Sequence, residues 1–142
     1  MIQNQHQYKI TNSKLKELEL VLLSLVNNPT QLSERLWQSQ QAGVQVWIDR
    51  LKTEIIEYDL LQKGQSVLKI SSLSELPIAL IKARISRGMT QKELAEKIGV
   101  QEQQIQRYES NHYSSVSFDR LKEIFEALEI SFKEVVMELT SS

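Results

Sequence analysis

The sequence predicts an all-α protein, and three observations support that fold class. Gly occurs only four times and Pro only twice in 142 residues, so few turns are forced on the chain. Apolar residues recur at intervals of three and four over most of the length, which is the spacing of one face of a helix. Apolar residues make up 41% and charged residues 25%, a balance typical of folded globular domains.

The composition also excludes several classes of protein and site. There are no cysteines, so disulfides, thiolate metal sites and cysteine nucleophiles are excluded. No apolar run is long enough to span a membrane, and the first ten residues lack a signal-peptide layout. The two histidines, His6 and His112, are isolated and lack the context of a metal ligand or catalytic base. We therefore expect a cytoplasmic protein that has no metal or cofactor and is not an enzyme.

The chain is expected to begin with a flexible arm and a first helix. Residues 1–10 lack helical periodicity and are predicted to be the arm. N-cap candidates at Thr11–Ser13 precede apolar residues at helical spacing. The helix is predicted to end near Asn27, because the residue before Pro29 is disfavoured in the α conformation.

A longer second helix could start within Thr30–Arg35, and its stronger part is predicted over Gln41–Lys63, with Gly64 as its C-terminal cap. The two helices form a predicted hairpin over 11–63. The apolar stripe of the second helix exceeds what a partner helix of about 17 residues needs. We therefore predict that it pairs with a second copy, as a coiled coil or four-helix bundle, and the alternative is that it packs on the C-terminal part of the same chain. The predicted dimerisation residues are Val44, Trp47, Ile48, Leu51, Ile55, Tyr58 and Leu61.

Residues 64–73 are predicted to link this hairpin to a second domain over 74–139. The linker is polar and rich in serine. Five helices are expected in the second domain. The first runs from about Ser74 to Gly88, and the fifth begins at Ser131.

Two short helices joined by a tight turn stand at the centre of the second domain, over Thr90–Ser110. Thr90 and Glu93 have the spacing of a capping box at the start of the first of them. Ala95 is small, as a close crossing of the second helix requires. Gly99 can end the first helix in a left-handed conformation. This pattern predicts a helix-turn-helix.

The second helix of the pair has a surface suited to reading DNA bases. When the buried positions Ile105 and Tyr108 are set aside, the residues that remain are rich in Gln and include one Arg. Gln can pair with adenine and Arg with guanine in the major groove. The whole chain carries a net charge of −1, but six cationic and four anionic residues over 82–113 leave a local charge of +2. We expect two copies to be needed for useful DNA affinity, which should fall steeply with salt.

The helix-turn-helix segment contains the pattern Thr90-Gln91-x-x-Leu94-Ala95, then Ile98-Gly99-Val100, then Ile105-x-x-Tyr108-Glu109. With this pattern, residues 76–130 resemble the helix-turn-helix domain of the lambdoid phage repressors and Cro proteins, the Xre-type family. The resemblance covers less than half of the chain, and the hairpin lies outside it. In place of a Gly that the family often has, this chain has Asn111, which we expect to adopt the left-handed conformation.

The resemblance implies a repressor-like five-helix domain that binds double-stranded DNA. It implies a sequence-specific regulator, a dimeric repressor that reads a palindromic operator through the major groove. One alternative is an antitoxin subunit that binds a toxin protein and regulates its own operon, and another is an interaction scaffold that does not bind DNA. By position in the motif, bases would be read by Gln101, Glu102, Gln103, Gln106 and Arg107, and phosphates would be contacted by Gln91, Lys92, His112, Tyr113, Ser114 and Ser115.

Overall fold

The computed structural model of the protein describes residues 1–28 and 33–141. This part of the chain contains α-helices and one 3₁₀ turn but no β-strand, so the all-α prediction is confirmed. None of the described helices is long and apolar enough to cross a membrane. The helices are α1 (Gln5–Asn27), α2 (Glu34–Gln62), α3 (Leu76–Ser86), α4 (Gln91–Ile98), α5 (Glu102–Ser110) and α6 (Phe118–Ala127).

The chain divides into two compact units, Met1–Ser66 and Val67–Ser142. The first is a hairpin of α1 and α2, which run antiparallel. At one end, the Tyr8 hydroxyl donates to the carboxylate of Asp59 at 2.9 Å. At the other end, the indole N–H of Trp37 donates to the backbone carbonyl of Leu25 at 2.6 Å.

The prediction of a flexible arm over residues 1–10 is wrong, because α1 begins within it. The side chain of Asn4 accepts a hydrogen bond from the backbone N–H of Gln7 at 2.8 Å and so caps the helix. The preceding Ile2 is buried. The start of α1 is hard to predict because the N-terminal sequence is polar and has few apolar residues. Its one sequence signal is the N-cap, which is weaker than apolar periodicity.

The predicted dimerisation stripe of α2 is largely covered within the single chain. Ile48, Tyr58 and Leu61 are at most 5% exposed, and the rings of Tyr58 and Tyr8 lie 5.1 Å apart. The prediction that these three residues contact a second copy is therefore wrong. Its physical reason is the length of α1, which has 23 residues instead of the expected length of about 17. Trp47 stays 54% exposed. The other predicted contacts are half-buried: Val44, Leu51 and Ile55.

The second unit contains α3 to α6, which surround one apolar core. A 3₁₀ turn over Leu73–Glu75 precedes α3, and its N-cap is Ser72, two residues before the predicted cap at Ser74. Buried side chains from all four helices form the core. They are Leu80, Ile81, Ile85, Leu94, Ala95, Ile105, Tyr108, Ile124 and Leu128.

The predicted fifth helix of this domain is not present in residues 131–141. After α6 the chain turns at Glu129, which has φ 54°, and the ring of Phe132 packs edge-on against Phe125 at 5.4 Å. Beyond this contact the apolar side chains of 135–139 are exposed. A helix this short is unstable in water unless its apolar face is covered, so helical spacing alone was not sufficient here.

Candidate nucleic-acid interface

α4 begins with the Thr90 side-chain cap that the sequence predicts, although the Glu93 carboxylate bonds to the Thr90 hydroxyl instead of completing the capping box. The backbone N–H of Glu93 donates to the Thr90 hydroxyl oxygen at 3.0 Å, and that hydroxyl donates to the Glu93 carboxylate at 3.1 Å. At the other end, Gly99 has φ 74°, and the N–H of Val100 donates to the carbonyl of Ala95 at 2.9 Å. Both ends of α4 are therefore fixed by local hydrogen bonds, and the turn into α5 is a left-handed C-cap.

The corner between α4 and α5 is filled by three buried side chains. Leu94 and Ala95 come from α4, and Ile105 comes from α5. All three are no more than 1% exposed. The small Ala95 allows the two helices to approach closely, as predicted for a helix-turn-helix.

The residues predicted to read bases lie on the exposed side of α5 or at its start. Gln101, Gln103, Gln106 and Arg107 are exposed, and Glu102 is half-buried. Glu102 is the first residue of α5, where a negative charge interacts favourably with the helix dipole. The described surface of α5 therefore presents amide groups and one guanidinium to solvent.

A buried polar network joins three helices behind this surface. The guanidinium of Arg84 on α3 donates to both carboxylate oxygens of Glu109 on α5, at 2.6 and 2.9 Å. The side-chain amide of Gln91, at the start of α4, donates to the same carboxylate at 2.8 Å. Arg84 also donates to the carbonyl of Met89 at 2.9 Å. Arg84, Gln91 and Glu109 are 2%, 4% and 0% exposed, so this network is shielded from water.

This network changes the role predicted for Gln91. The resemblance assigned its side chain to a phosphate, but that side chain is buried and bonds to Glu109. The prediction of a side-chain phosphate contact is therefore wrong for Gln91. The neighbouring Lys92 is exposed, and it leaves the start of α4 able to meet a phosphate with a cation and backbone N–H groups.

The turn after α5 also differs from the prediction. Asn111 has φ −100°, and the left-handed conformation falls instead on His112 and Tyr113, with φ 54° and 58°. The backbone N–H of Tyr113 donates to the carbonyl of Tyr108 at 2.7 Å, which closes the end of α5. The prediction that Asn111 adopts the left-handed conformation is therefore wrong, since this hydrogen bond places the start of the left-handed turn one residue later, at His112.

Of the predicted phosphate contacts in this turn, Tyr113 is the one that faces the interior. Its ring packs against Tyr108 with centroids 6.0 Å apart, and its side chain is buried. The prediction that its side chain contacts a phosphate is therefore wrong. His112, Ser114 and Ser115 are exposed. The aromatic ring of Tyr113 in an otherwise polar loop is a weak signal of an inward side chain, because it does not identify the surface that covers the ring.

Tyr113→Phe is expected to leave the unfolding free energy at pH 7 unchanged or to raise it by about 1 kcal/mol. The hydroxyl of Tyr113 is buried and has no hydrogen-bond partner among the described residues, so its removal relieves a desolvation cost. Burial raises the pKa of Tyr113 above its usual value near 10, and the Glu109 carboxylate raises this pKa further. Above pH 10 the unfolded chain loses this proton and the folded chain keeps it, so the wild type loses stability as pH rises.

Urea unfolding of the wild type and the Phe variant at pH 7 and above pH 10 measures both effects. Titration of the other tyrosines and the lysines is common to the two proteins, so their difference isolates Tyr113. A Phe variant that is clearly less stable at pH 7 would show that the hydroxyl is hydrogen-bonded.

The surface charge of this region is modest. Burying Arg84 with Glu109 removes one cation and one anion, so the stretch 82–113 keeps a local charge of +2. Lys92, Lys97 and Arg107 are among its exposed cations. This charge attracts a polyanion only weakly in one copy.

Comparison with known proteins agrees with this geometry. Residues 80–135 match the family model described as helix-turn-helix, which confirms the resemblance to the Xre-type, lambda-repressor-like family over this segment. The match includes α4, α5 and α6 and leaves the N-terminal hairpin outside. Neither the curated proteins nor the solved structures gave a match to the chain.

Proposed function

We propose that this protein, which carries an Xre-type helix-turn-helix domain over residues 80–135, is a sequence-specific DNA-binding transcriptional regulator. The observation that carries the proposal is the division of α5 into two faces. One face is buried against α3 and α4. The other face is exposed and carries the base-reading candidates Gln101, Gln103, Gln106 and Arg107.

α5 reads DNA by lying in the major groove, which is about 12 Å wide and admits one helix. Its Gln side chains pair with adenine edges, and Arg107 pairs with a guanine edge. Lys92 at the start of α4 and the exposed residues of the turn after α5 contact the sugar–phosphate backbone and set the register. Those turn residues are His112, Ser114 and Ser115.

The regulator acts as a homodimer on a palindromic operator. The local charge of +2 gives one domain little electrostatic affinity, and a dimer doubles both this charge and the number of base contacts. Two copies of α5 then enter successive major grooves about 34 Å apart. Bound there, the protein represses transcription by blocking access to a promoter. The activity is binding in the cytoplasm, without catalysis, metal or cofactor.

A second candidate function is that of an antitoxin subunit, and the exposed segment after α6 favours it. Val135, Val136, Met137 and Leu139 are each at least 68% exposed. DNA binding through α5 makes no use of this apolar surface, and contiguous exposed apolar residues mark protein–protein contacts. A toxin gene adjacent to this one, and co-purification of its product with the intact chain, would support this candidate.

Selection of bound sequences from a random DNA pool tests the proposed function directly. We expect an enriched palindrome whose half-sites are separated by about one helical turn, or 10 base pairs. Failure to retain any DNA in a gel shift at low salt would contradict the proposal and favour an interaction scaffold.

Arg107→Ala is expected to weaken binding to the selected site by about 1–3 kcal/mol and to relax the preference at one base pair. The reason is the loss of a bidentate contact to guanine O6 and N7. Fluorescence anisotropy on the selected site and on single-base variants measures both effects.

Lys92→Ala is the matched comparison, because it removes a phosphate contact. It should weaken binding evenly over all sequences and lower the salt slope by about one. An Arg107 variant that also weakened all sequences evenly would show that Arg107 contacts phosphate and not a base.

A further inference from the structure

One face of α2 is exposed along the whole helix. Its residues follow one another at intervals of three and four, which places them on one side of a helix. This spacing is the one with which a helix packs along a second helix. We call this face the exposed stripe, and it consists of Leu36, Ser39, Gly43, Val46, Arg50, Thr53, Glu57 and Leu60.

Gly43 lies in this stripe without a local reason to be glycine. Gly inside a helix destabilises it by about 1 kcal/mol relative to Ala. Gly43 is not among the positive-φ glycines, so its backbone conformation suits any residue. A Cβ atom added there would meet nothing within 4 Å in the single chain. The absence of a side chain therefore leaves an open notch on an exposed helix face.

Trp47 lies one turn beyond this notch, on the same side of α2. It is 54% exposed, and the guanidinium of Arg50 lies 5.1 Å from the centre of its ring. Trp and Arg are the residue types most enriched at the energetic centres of protein interfaces. A bulky side chain and a notch that is one turn away form a self-complementary pair.

We propose that α2 packs against α2 of a second copy in antiparallel orientation, with Trp47 of each chain seated on Gly43 of the other. The inference rests on the proposed function, since it names the contact through which the regulator forms its dimer. A two-fold axis between the helices makes the Trp47–Gly43 contact twice, as an isologous interface requires.

The charges of α2 favour the antiparallel orientation. Arg35 lies near the start of the helix and Glu57 near its end, and both are exposed. Antiparallel packing brings Arg35 of one chain towards Glu57 of the other, whereas parallel packing brings like charges together. This contact replaces the predicted one through Ile48, Tyr58 and Leu61, which are covered in the single chain.

An exchange of the two side chains tests the contact. Sedimentation equilibrium of the full chain gives the dimer dissociation constant for Trp47→Gly, for Gly43→Trp and for the double variant. Each single variant should raise this constant at least about tenfold, because one removes the bulky side chain and the other fills the notch. The double variant restores a Trp–Gly pair in reversed positions, so its dissociation constant should return towards that of the wild type.

Gln38→Trp is the matched control, since Gln38 is exposed on α2 outside the stripe. It adds the same side chain and should leave the dissociation constant unchanged. Gly43→Ala provides a second measurement. It should raise the urea midpoint of the dilute monomer through helix propensity, yet raise the dimer dissociation constant.

A wild-type chain that stays monomeric, or a Gly43→Trp variant that dimerises as well as the wild type, would overturn the inference. Far-UV circular dichroism confirms that each variant is folded. A monomeric protein that still selects a DNA sequence would support sequence-specific DNA binding and contradict both the homodimer and this interface. A dimer whose dissociation constants change as expected, but which selects no DNA sequence, would support this interface and contradict the proposed function.

Discussion

Glu109→Ala is expected to lower the unfolding free energy of the helix-turn-helix domain by about 3–5 kcal/mol. Glu109 is fully buried and receives hydrogen bonds from Arg84 and Gln91. Removing its carboxylate leaves the Arg84 guanidinium buried without a counter-charge, and it also removes the link between α3, α4 and α5. A loss of this size is a large part of the stability of a small domain.

Glu123→Ala is the control for this variant. Glu123 accepts a hydrogen bond from Arg120 at 2.8 Å, but their side chains are 52% and 30% exposed. The same substitution in this exposed ion pair should cost no more than about 1 kcal/mol. Urea unfolding of both variants, followed by circular dichroism, measures the difference. Equal losses in the two variants would mean that the Arg84–Glu109 pair is open to water.

Ile105→Ala is expected to lower the same unfolding free energy by about 2–5 kcal/mol. Ile105 is fully buried in the corner between α4 and α5. These helices have only eight and nine residues, so few side chains determine their crossing angle. The Ala side chain would leave a cavity there, and the corner is too tightly connected to collapse around it.

Val135→Ala is a control in the same unit, because Val135 is 68% exposed. Its unfolding free energy should change by no more than about 0.5 kcal/mol. Urea unfolding gives both values under one set of conditions. If Ile105→Ala cost less than about 1 kcal/mol, the corner would have to be loosely packed.

The local features of this fold were predictable from the sequence because neighbouring residues determine them. Thr90 caps α4 through the backbone N–H of Glu93, and Gly99 ends it. Each signal involves residues no more than a few positions apart. The same holds for the buried Ile105 and Tyr108 of α5, but the sequence left Glu109 among the outward residues and the structure buries it.

Features that depend on distant contacts could not be predicted in this way. A Gln in the first turn of a helix usually faces solvent, and only the fold brings Gln91 next to Arg84 and Glu109. Likewise, Tyr113 lies in a polar loop, and its inward position depends on the surface offered by Tyr108. The helix expected after Ser131 is absent for the same reason, since Phe132 contacts Phe125 but Val135, Val136 and Leu139 stay exposed.

The two faces of α5 have a consequence for how the DNA preference of such a protein can change. Ile105, Tyr108 and Glu109 hold the helix in place. The outward side chains take no part in the buried network. Under the proposed function, mutations among them would therefore alter which bases are recognised at little cost in folding. A gene duplicate could acquire a new operator through a few changes at the outward positions, Gln101, Gln103, Gln106 and Arg107.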